Sequence, residues 1–409
     1  MQRSLRVSGI GIVSAFGTSP AAFRDGLLAG RSAIVPLSGF ETGDCRTTLA
    51  AQVTDFEAAA WVAPMKLRRL DRTGVYALAL ARLVLADAQR TPTPDGDDRS
   101  GVVLGTWTAG GQSTQQYLDA FFRSGPASAP ALLFDSTVAN SAASLAGMEY
   151  KLRGPNVTVS HKEASGLGAI VCAAEMLRAE RACGLLTGGV DAVFEPFFKA
   201  YDRFAVMSGE AAFSSRLAPF DDDRAGFVLG EGGFGLWLEQ SDDRTAGQGE
   251  EVLGVAAAGA AVGLNLWPDR PAPLVRTMRL ALEDAGLSAE DVDVVYASAN
   301  ATADLDVTEA AALSQLFAGS RTVVTSLKGA LGEFGASGGA ACAAAFLCGR
   351  EGRVPPIAGL AKPIAAAGRL NLARQAVDAP GPIVLVNGFA SGGALFSVVL
   401  RTGRKTRSA

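Results

Sequence analysis

The chain has 409 residues, 48% hydrophobic and 19% charged, with 48 glycines and a formal net charge of −4; this excludes a disordered or fibrous protein and supports a large packed α/β core. The negative balance excludes a global positive field for nucleic acid or an anionic membrane surface. A single histidine, His161, excludes any mechanism that needs two imidazoles from one chain and any His-rich metal site, and neither metal nor cofactor is expected.

In chain order, RVSGIGIVSAF near the start reads as a strand rather than a leader. Helices are expected over Pro20 to Ala29 and Arg68 to Gln89, and a strand at GVVLGT. Helical stretches follow at Gln112 to Phe122 and Thr137 to Leu152, then the strand NVTVS at 156–160, a small-residue helix from Ala164 to Ala182 and the strand GLLTGGV. Beyond a loop rich in Ser, Arg and Asp at 208–224, GFVLGEG and GFGLWLEQ look like an antiparallel pair. The polar segment Ser241 to Glu251 is the linker candidate, dividing residues 1–245 from residues 252–409. The pattern then restarts with EVLGVAAAGAAVG, a helix at Leu274 to Ala285 and the strand VDVVYASA, so two copies of one α/β unit are expected. The C-terminal RTGRKTRSA reads as a solvated basic tail.

Val252 to Leu264 and Ala336 to Leu347, the longest apolar stretches, are too short to span a bilayer. Five cysteines, at 45, 172, 183, 342 and 348, include no C-x-x-C pair, which argues against disulfides and zinc and fits a reducing cytoplasm. In the alanine-rich surroundings of Cys172, Cys183, Cys342 and Cys348, a buried inert thiol is expected.

Four stretches carry more than periodicity: SGIGIVSAFG, RGPNVTVSHKEASGLGAI (153–170), APFDDDRAGFVLGEG (218–232) and NGFASGG (387–393). Together they resemble the β-ketoacyl synthases of the thiolase superfamily, from about residue 5 to residue 400. The resemblance implies a duplicated thiolase fold in five layers, αβαβα, acting as a dimer on acyl chains held by an acyl carrier protein. Members that condense use a cysteine at the start of a helix and two histidines. Here the cysteine position matches Glu163, the first histidine matches Asn300 in SANAT, and the second, five residues past Lys328, matches Glu333. The family's gating phenylalanine in the Gly-rich loop matches Ser391, within Phe389, Ser391, Gly392 and Gly393.

Each replacement removes a chemical capability. A carboxylate at a helix N-terminus is expected to be a stabilised spectator anion, not a nucleophile. Asn300 cannot shuttle a proton near neutral pH, and an ionised Glu333 would repel a developing oxyanion. Glu163, Glu333 and Lys328 are expected to converge on one pocket, either as a plug of mutually satisfied polar groups or as a new acid/base dyad; the plug is preferred because no substrate entrance is defined. His161, two residues before Glu163, reads as an imidazole at the elbow without a nucleophile to serve.

Ketosynthase-like chains without the cysteine resemble the chain-length factors of type II polyketide synthases, although those usually carry Gln where Glu163 stands. This resemblance implies a heterodimer with a cysteine-bearing ketosynthase, whose acyl tunnel the partner helps to line. Gly110, Gly111, Gln112, Gln115, Leu133 and Phe134 are the expected tunnel and interface residues, and enlarging Gly111 or Gln112 is expected to shorten the product. Lys66, Arg69 and Arg72, spaced along one helical face, are the expected docking patch for an acidic carrier protein. Two alternatives stand beside this: a decarboxylating ketosynthase that makes an acetyl primer from malonyl carrier protein, and a non-catalytic homodimer that binds an acyl chain or carrier.

Overall fold

In the computed structural model, which describes residues 4–209, 217–241 and 249–403, one plan is used twice. The first half contributes β1 (Leu5–Val13), β2 (Ser100–Gly105), β3 (Asn156–Val159), β4 (Gly184–Asp191) and β5 (Gly232–Gln240), lying side by side as β1-β5-β4-β2-β3. The second contributes β6 (Glu251–Gly259), β7 (Val294–Tyr296), β8 (Val323–Thr325), β9 (Asn371–Leu372), β10 (Ile383–Phe389) and β11 (Ala394–Arg401), lying as β6-β11-β10-β7-β8-β9. In both halves the first strand pairs antiparallel with the last, and the last antiparallel with the one before it. The second and third strands then add in parallel. The halves join where Leu5 and Arg6 pair with Val252 and Glu251. Strand order thus carries the repeat that residue identities do not.

The longer helices among the described residues are α1 (Pro20–Leu28), α2 (Arg72–Asp87), α3 (Gly111–Ser124), α4 (Ser141–Glu149), α5 (Ser165–Arg178), α6 (Glu195–Arg203), α7 (Pro271–Ala285), α8 (Ala303–Phe317) and α9 (Ser337–Arg350). Helices α2 and α4 cover the outer face of the first sheet through Tyr76, Leu80, Val84 and Ala143. Helices α7 and α8 cover the outer face of the second through Leu274, Met278 and Leu313. Between the sheets lie α5 and α9, whose Leu167, Ile170, Cys342 and Phe346 share one core with Val103, Leu236, Val386 and Val398. A helix packed between two sheets must be apolar all round, and α9, SGGAACAAAFLCGR, buries every residue from Ser337 to Gly349. The result is the expected αβαβα sandwich, with the N-termini of α5 and α9 beside each other.

Several expected elements differ. The helix expected over 68–89 starts at Arg72 and is preceded by a separate turn at Pro64–Leu67, because the buried Asp71 caps it by accepting from Gly74 N at 2.8 Å. GFVLGEG and GFGLWLEQ do not pair. The second is β5, both of whose edges are occupied by β1 and β4, while the first crosses the site with its Glu231 tied to Val53 and Val193. Arg401 belongs to β11 and pairs with Glu251, so the basic tail begins later; residues 404–409 lie outside the described residues, as do 210–216 of the polar loop and 242–248 of the linker. Cys183 is exposed and Cys172 half-buried, whereas Cys342 and Cys348 are buried. Among the described residues no helix is long and apolar enough to cross a membrane.

Candidate functional site

The second half supplies the floor. Just past β7, Asn300 is 1% exposed and its backbone N–H, with that of Ala301, donates to the buried Asp306 at 3.0 and 3.1 Å. Its Oδ1 accepts from Thr302 N at 3.2 Å and Thr302 Oγ1 at 2.7 Å, so its Nδ2 is left to donate to Glu333 Oε2 at 2.8 Å. The other Glu333 oxygen accepts from Lys328 Nζ and from Phe334 N at 3.1 Å. Glu333 is buried and the Lys328 side chain is only 10% exposed, which makes the pair costly to break: removing one partner strands the other charge largely away from water.

The elbow comes from the first half. After β3, Lys162 adopts a left-handed φ of 49°, a one-turn 3₁₀ helix spans Lys162–Ala164, and α5 begins at Ser165. Glu163 is 3% exposed. Its Oε1 accepts from Ser391 Oγ at 2.9 Å and its Oε2 from Ser391 N at 3.2 Å. Burial first, and then the charge of Glu333, push its carboxyl up to about 7, against the pull of Lys162 and Ser391. This corrects the expectation of a stabilised anion: desolvation outweighs the helix terminus. Ser337 Oγ lies 3.3 Å from the Glu163 carbonyl oxygen and 3.4 Å from Glu333 Oε1, so its one proton can serve either side.

Ser391 roofs this pocket in the turn between β10 and β11, where Gly392 and Gly393 take φ of 94° and 87°. Its hydroxyl accepts from Lys162 Nζ at 2.6 Å while donating to Glu163. A serine between a lysine and a carboxylate has the outline of a Ser–Lys nucleophile, but the backbone N–H groups of its own turn are not free to form an oxyanion hole. The Ser391 N–H is spent on Glu163, that of Gly392 on Leu266 O and that of Gly393 on Ala390 O. No group of three or more His, Cys, Asp or Glu side chains suited to a metal occurs among the described residues.

A wall beside Glu163 escaped the sequence reading. Trp107 packs edge-on against Phe197 (5.0 Å between centroids) and Tyr201 (4.9 Å), and the Tyr201 hydroxyl is pushed up by burial and by the Glu163 charge. Its anchor is Asp191, at the end of β4, which accepts from Trp107 N, Thr108 N and Ala336 N at 2.7–2.8 Å. Burial holds this carboxyl at about 6 despite the donors. The wall thereby connects β2 and α9 to the elbow; a Trp after a strand, and aromatics on a short helix, carry no signal of that meeting in sequence.

The remaining candidates divide. Gly111 is not open to a tunnel: a Cβ there would lie 2.4 Å from the Phe194 ring. Gly110 is the left-handed residue before α3 and abuts Thr137. Gln112 caps α2 by accepting from Arg72 N at 3.1 Å and, with Gln116, Phe56, Val75 and Tyr76, lines a hollow of about 530 Å³. Gln115 and Leu133 are half-buried, and Phe134 is exposed with its ring 5.7 Å from Tyr117. Lys66 and Arg69 are exposed, but Lys66 pairs with Glu149 at 2.5 Å. Arg72 is turned inward in part: its Nη2 donates to Glu231 Oε1 and to Val53 O, each at 2.6 Å. The helical spacing assumed for the three fails at the break before α2. His161 is exposed, with its ring 5.4 Å from Phe396 and outside the polar pocket.

This architecture and elbow define a thiolase-like ketosynthase fold, and comparison with known proteins agrees. Residues 2–243 match the family model of the β-ketoacyl synthase N-terminal domain and residues 251–361 that of the C-terminal domain; the chain belongs to the β-ketoacyl synthase family. It is 28% identical to 3-oxoacyl-[acyl-carrier-protein] synthase 2 of Coxiella burnetii over 98% of both chains. It is 32% identical to the tetracenomycin polyketide synthase ketoacyl synthase beta subunit of Streptomyces glaucescens over 87% of this chain and 88% of that protein. Among solved structures, the ishigamide ketosynthase/chain length factor matches with TM-score 0.88 at 28% identity, over 98% of this chain and 100% of that one.

Proposed function

We propose that this chain is a non-condensing ketosynthase-like subunit, a chain-length factor that pairs with a cysteine-bearing ketosynthase and shapes the tunnel in which that partner's acyl chain grows. The observation that carries the reading is Glu163 at the elbow, both of its oxygens bonded to Ser391. No thiol stands there, and the two positions matched to histidines hold Asn300 and Glu333, bonded to each other. Decarboxylation fares no better, since Glu333 opposite Lys328 is an acceptor where a donor to a thioester oxygen is needed. Similarity to the tetracenomycin ketoacyl synthase beta subunit and to the ishigamide ketosynthase/chain length factor supports a role beside a ketosynthase. In such a partnership the chain contributes surface and volume rather than reaction steps.

The test is co-expression with a cysteine-bearing ketosynthase, followed by mass measurement in solution and assay of each component with malonyl carrier protein. The expected outcome is a 1:1 complex that condenses, with no acyl transfer or carbon dioxide release by this chain alone. A stable homodimer that never pairs overturns the reading, as does decarboxylation by the isolated chain, which would make it a priming enzyme.

A further inference from the structure

The ammonium of Lys162 has no part in the floor of the site. It reaches out of the elbow to two acceptors, Asn265 Oδ1 at 2.5 Å and Ser391 Oγ at 2.6 Å. These lie on separate segments, residues 260–267 after β6 and residues 389–393 between β10 and β11. The segments are further stitched by Ala260 N donating to Gly393 O and Gly392 N donating to Leu266 O, both at 2.9 Å. Ser391 completes the circuit by donating twice to Glu163. Apolar packing holds the first segment at its ends, where Ala260 and Trp267 rest on the core of the second half, and does little between them. Leu264 is 86% and Leu266 61% exposed, and a hollow of about 680 Å³ borders Val262, Leu266 and Trp267. Its backbone is also strained, with Ala261 and Asn265 at φ of 51° and 64°, matching the 49° of Lys162. Left-handed residues other than glycine persist where the surroundings over-determine them, and in a segment so poorly packed the polar ties are what remains to do so.

We propose that Lys162 is the positioning residue of a polar latch that holds residues 260–267 and 389–393 closed over Glu163 and shuts a carrier-borne acyl group out of this chain's own site. The exclusion rests on the role proposed above, because it leaves the partner's site as the one a carrier can serve; the latch itself does not. Cutting the latch at its lysine loosens both segments together, since they stay bonded to each other by Ala260 N to Gly393 O and Gly392 N to Leu266 O, with only Ser391 left holding them to Glu163.

Hydrogen exchange read by mass spectrometry on the full chain, or on its complex if it purifies as one, tests this. Lys162→Met is expected to raise exchange at least ~10-fold at the Ala260 and Gly392 amides together, the effect of losing charge-assisted hydrogen bonds. Lys162→Arg should restore most of the protection. Asn265→Ala, at an exposed side chain, provides a second cut should the first variant fold poorly, with the same coupled rise. No rise, or a rise at one segment alone, overturns the latch. The readout needs no catalytic partner, so a chain that never binds a ketosynthase yet shows the coupled rise sinks the subunit role and keeps the latch.

Discussion

Glu163 holds its proton more tightly in the folded chain than when unfolded, about 7 against the usual 4.5. A raised carboxyl binds more protons in the native state, so the contribution of Glu163 to stability is greatest at low pH, declines as pH rises from about 4.5 to about 7, and is flat above. By linkage the ionised side chain costs up to ~3 kcal/mol at pH 8. Glu163→Gln imitates the protonated acid and still offers an oxygen to Ser391. The variant is expected to gain in Tm over the parent at pH 8 and to gain little at pH 5; equal differences at the two pH values would show that desolvation of this carboxylate is not felt. Part of the parent's slope should survive, because Asp191, Asp306 and Glu309 are raised by burial in the same sense. Glu163, Asn300 and Glu333 were legible because each stands in a short motif whose neighbours persist. The ties that decide their behaviour were not, since Ser391 and Asn265 reach Lys162 only through the fold, across 229 and 103 positions of chain.

At the scale of elements, the alternation of strands and helices was readable wherever a segment's partners matched its own periodicity. It failed where a distant side chain intervened: the Asp71 cap starts α2 late, and Glu231 draws GFVLGEG away from the strand that follows it. Helix α3 shows the same dependence. Its first residue was expected to face a tunnel, yet Gly111 is pressed against Phe194, which in turn stacks on Phe197 at 5.7 Å. A larger residue there meets a ring rather than a growing chain, so Gly111→Ala should destabilise the fold by ~1–3 kcal/mol, the usual cost of overpacking. Phe194→Ala should recover a good part of that cost in the double variant. A denaturant-melt cycle checks the coupling; strictly additive losses would mean that α3 shifts freely and that the ring does not set its position. Under the proposed role, product length should then respond to Gln112, which borders open volume, and not to Gly111.

The whole molecule places its candidate site where the two halves meet, with Glu163 from the first and Asn300, Glu333 and Ser391 from the second, so the duplication of the sheet creates the pocket. Each half ends in an edge strand, the two-residue β9 in the second and the longer β3 in the first. The first sheet ends at β3, which pairs on one side with β2, and an unpaired strand edge invites another chain. Beside it, the segment from α3 to α4 exposes Leu118 (40%), Phe122 (77%), Leu132 (61%), Phe134 (59%), Val138 (48%) and Met148 (71%). Helix α4 of this segment, which carries Met148, packs on β3 itself, and Phe134 meets Tyr117 of α3 at 5.7 Å between ring centroids. Large apolar residues grouped in this way have an interaction to serve, and under the proposed role the occupant is the cysteine-bearing ketosynthase. Phe122→Asp combined with Phe134→Asp should leave the Tm of the isolated chain nearly unchanged, since both rings are already largely in water. The same pair should weaken the complex by roughly 100-fold, as the loss of aromatic anchors does at protein interfaces. Sedimentation of the co-expressed proteins reads the outcome: a complex that persists at micromolar concentration with both charges in place would move the partner to another face and detach the exposed segment from the role argued for it.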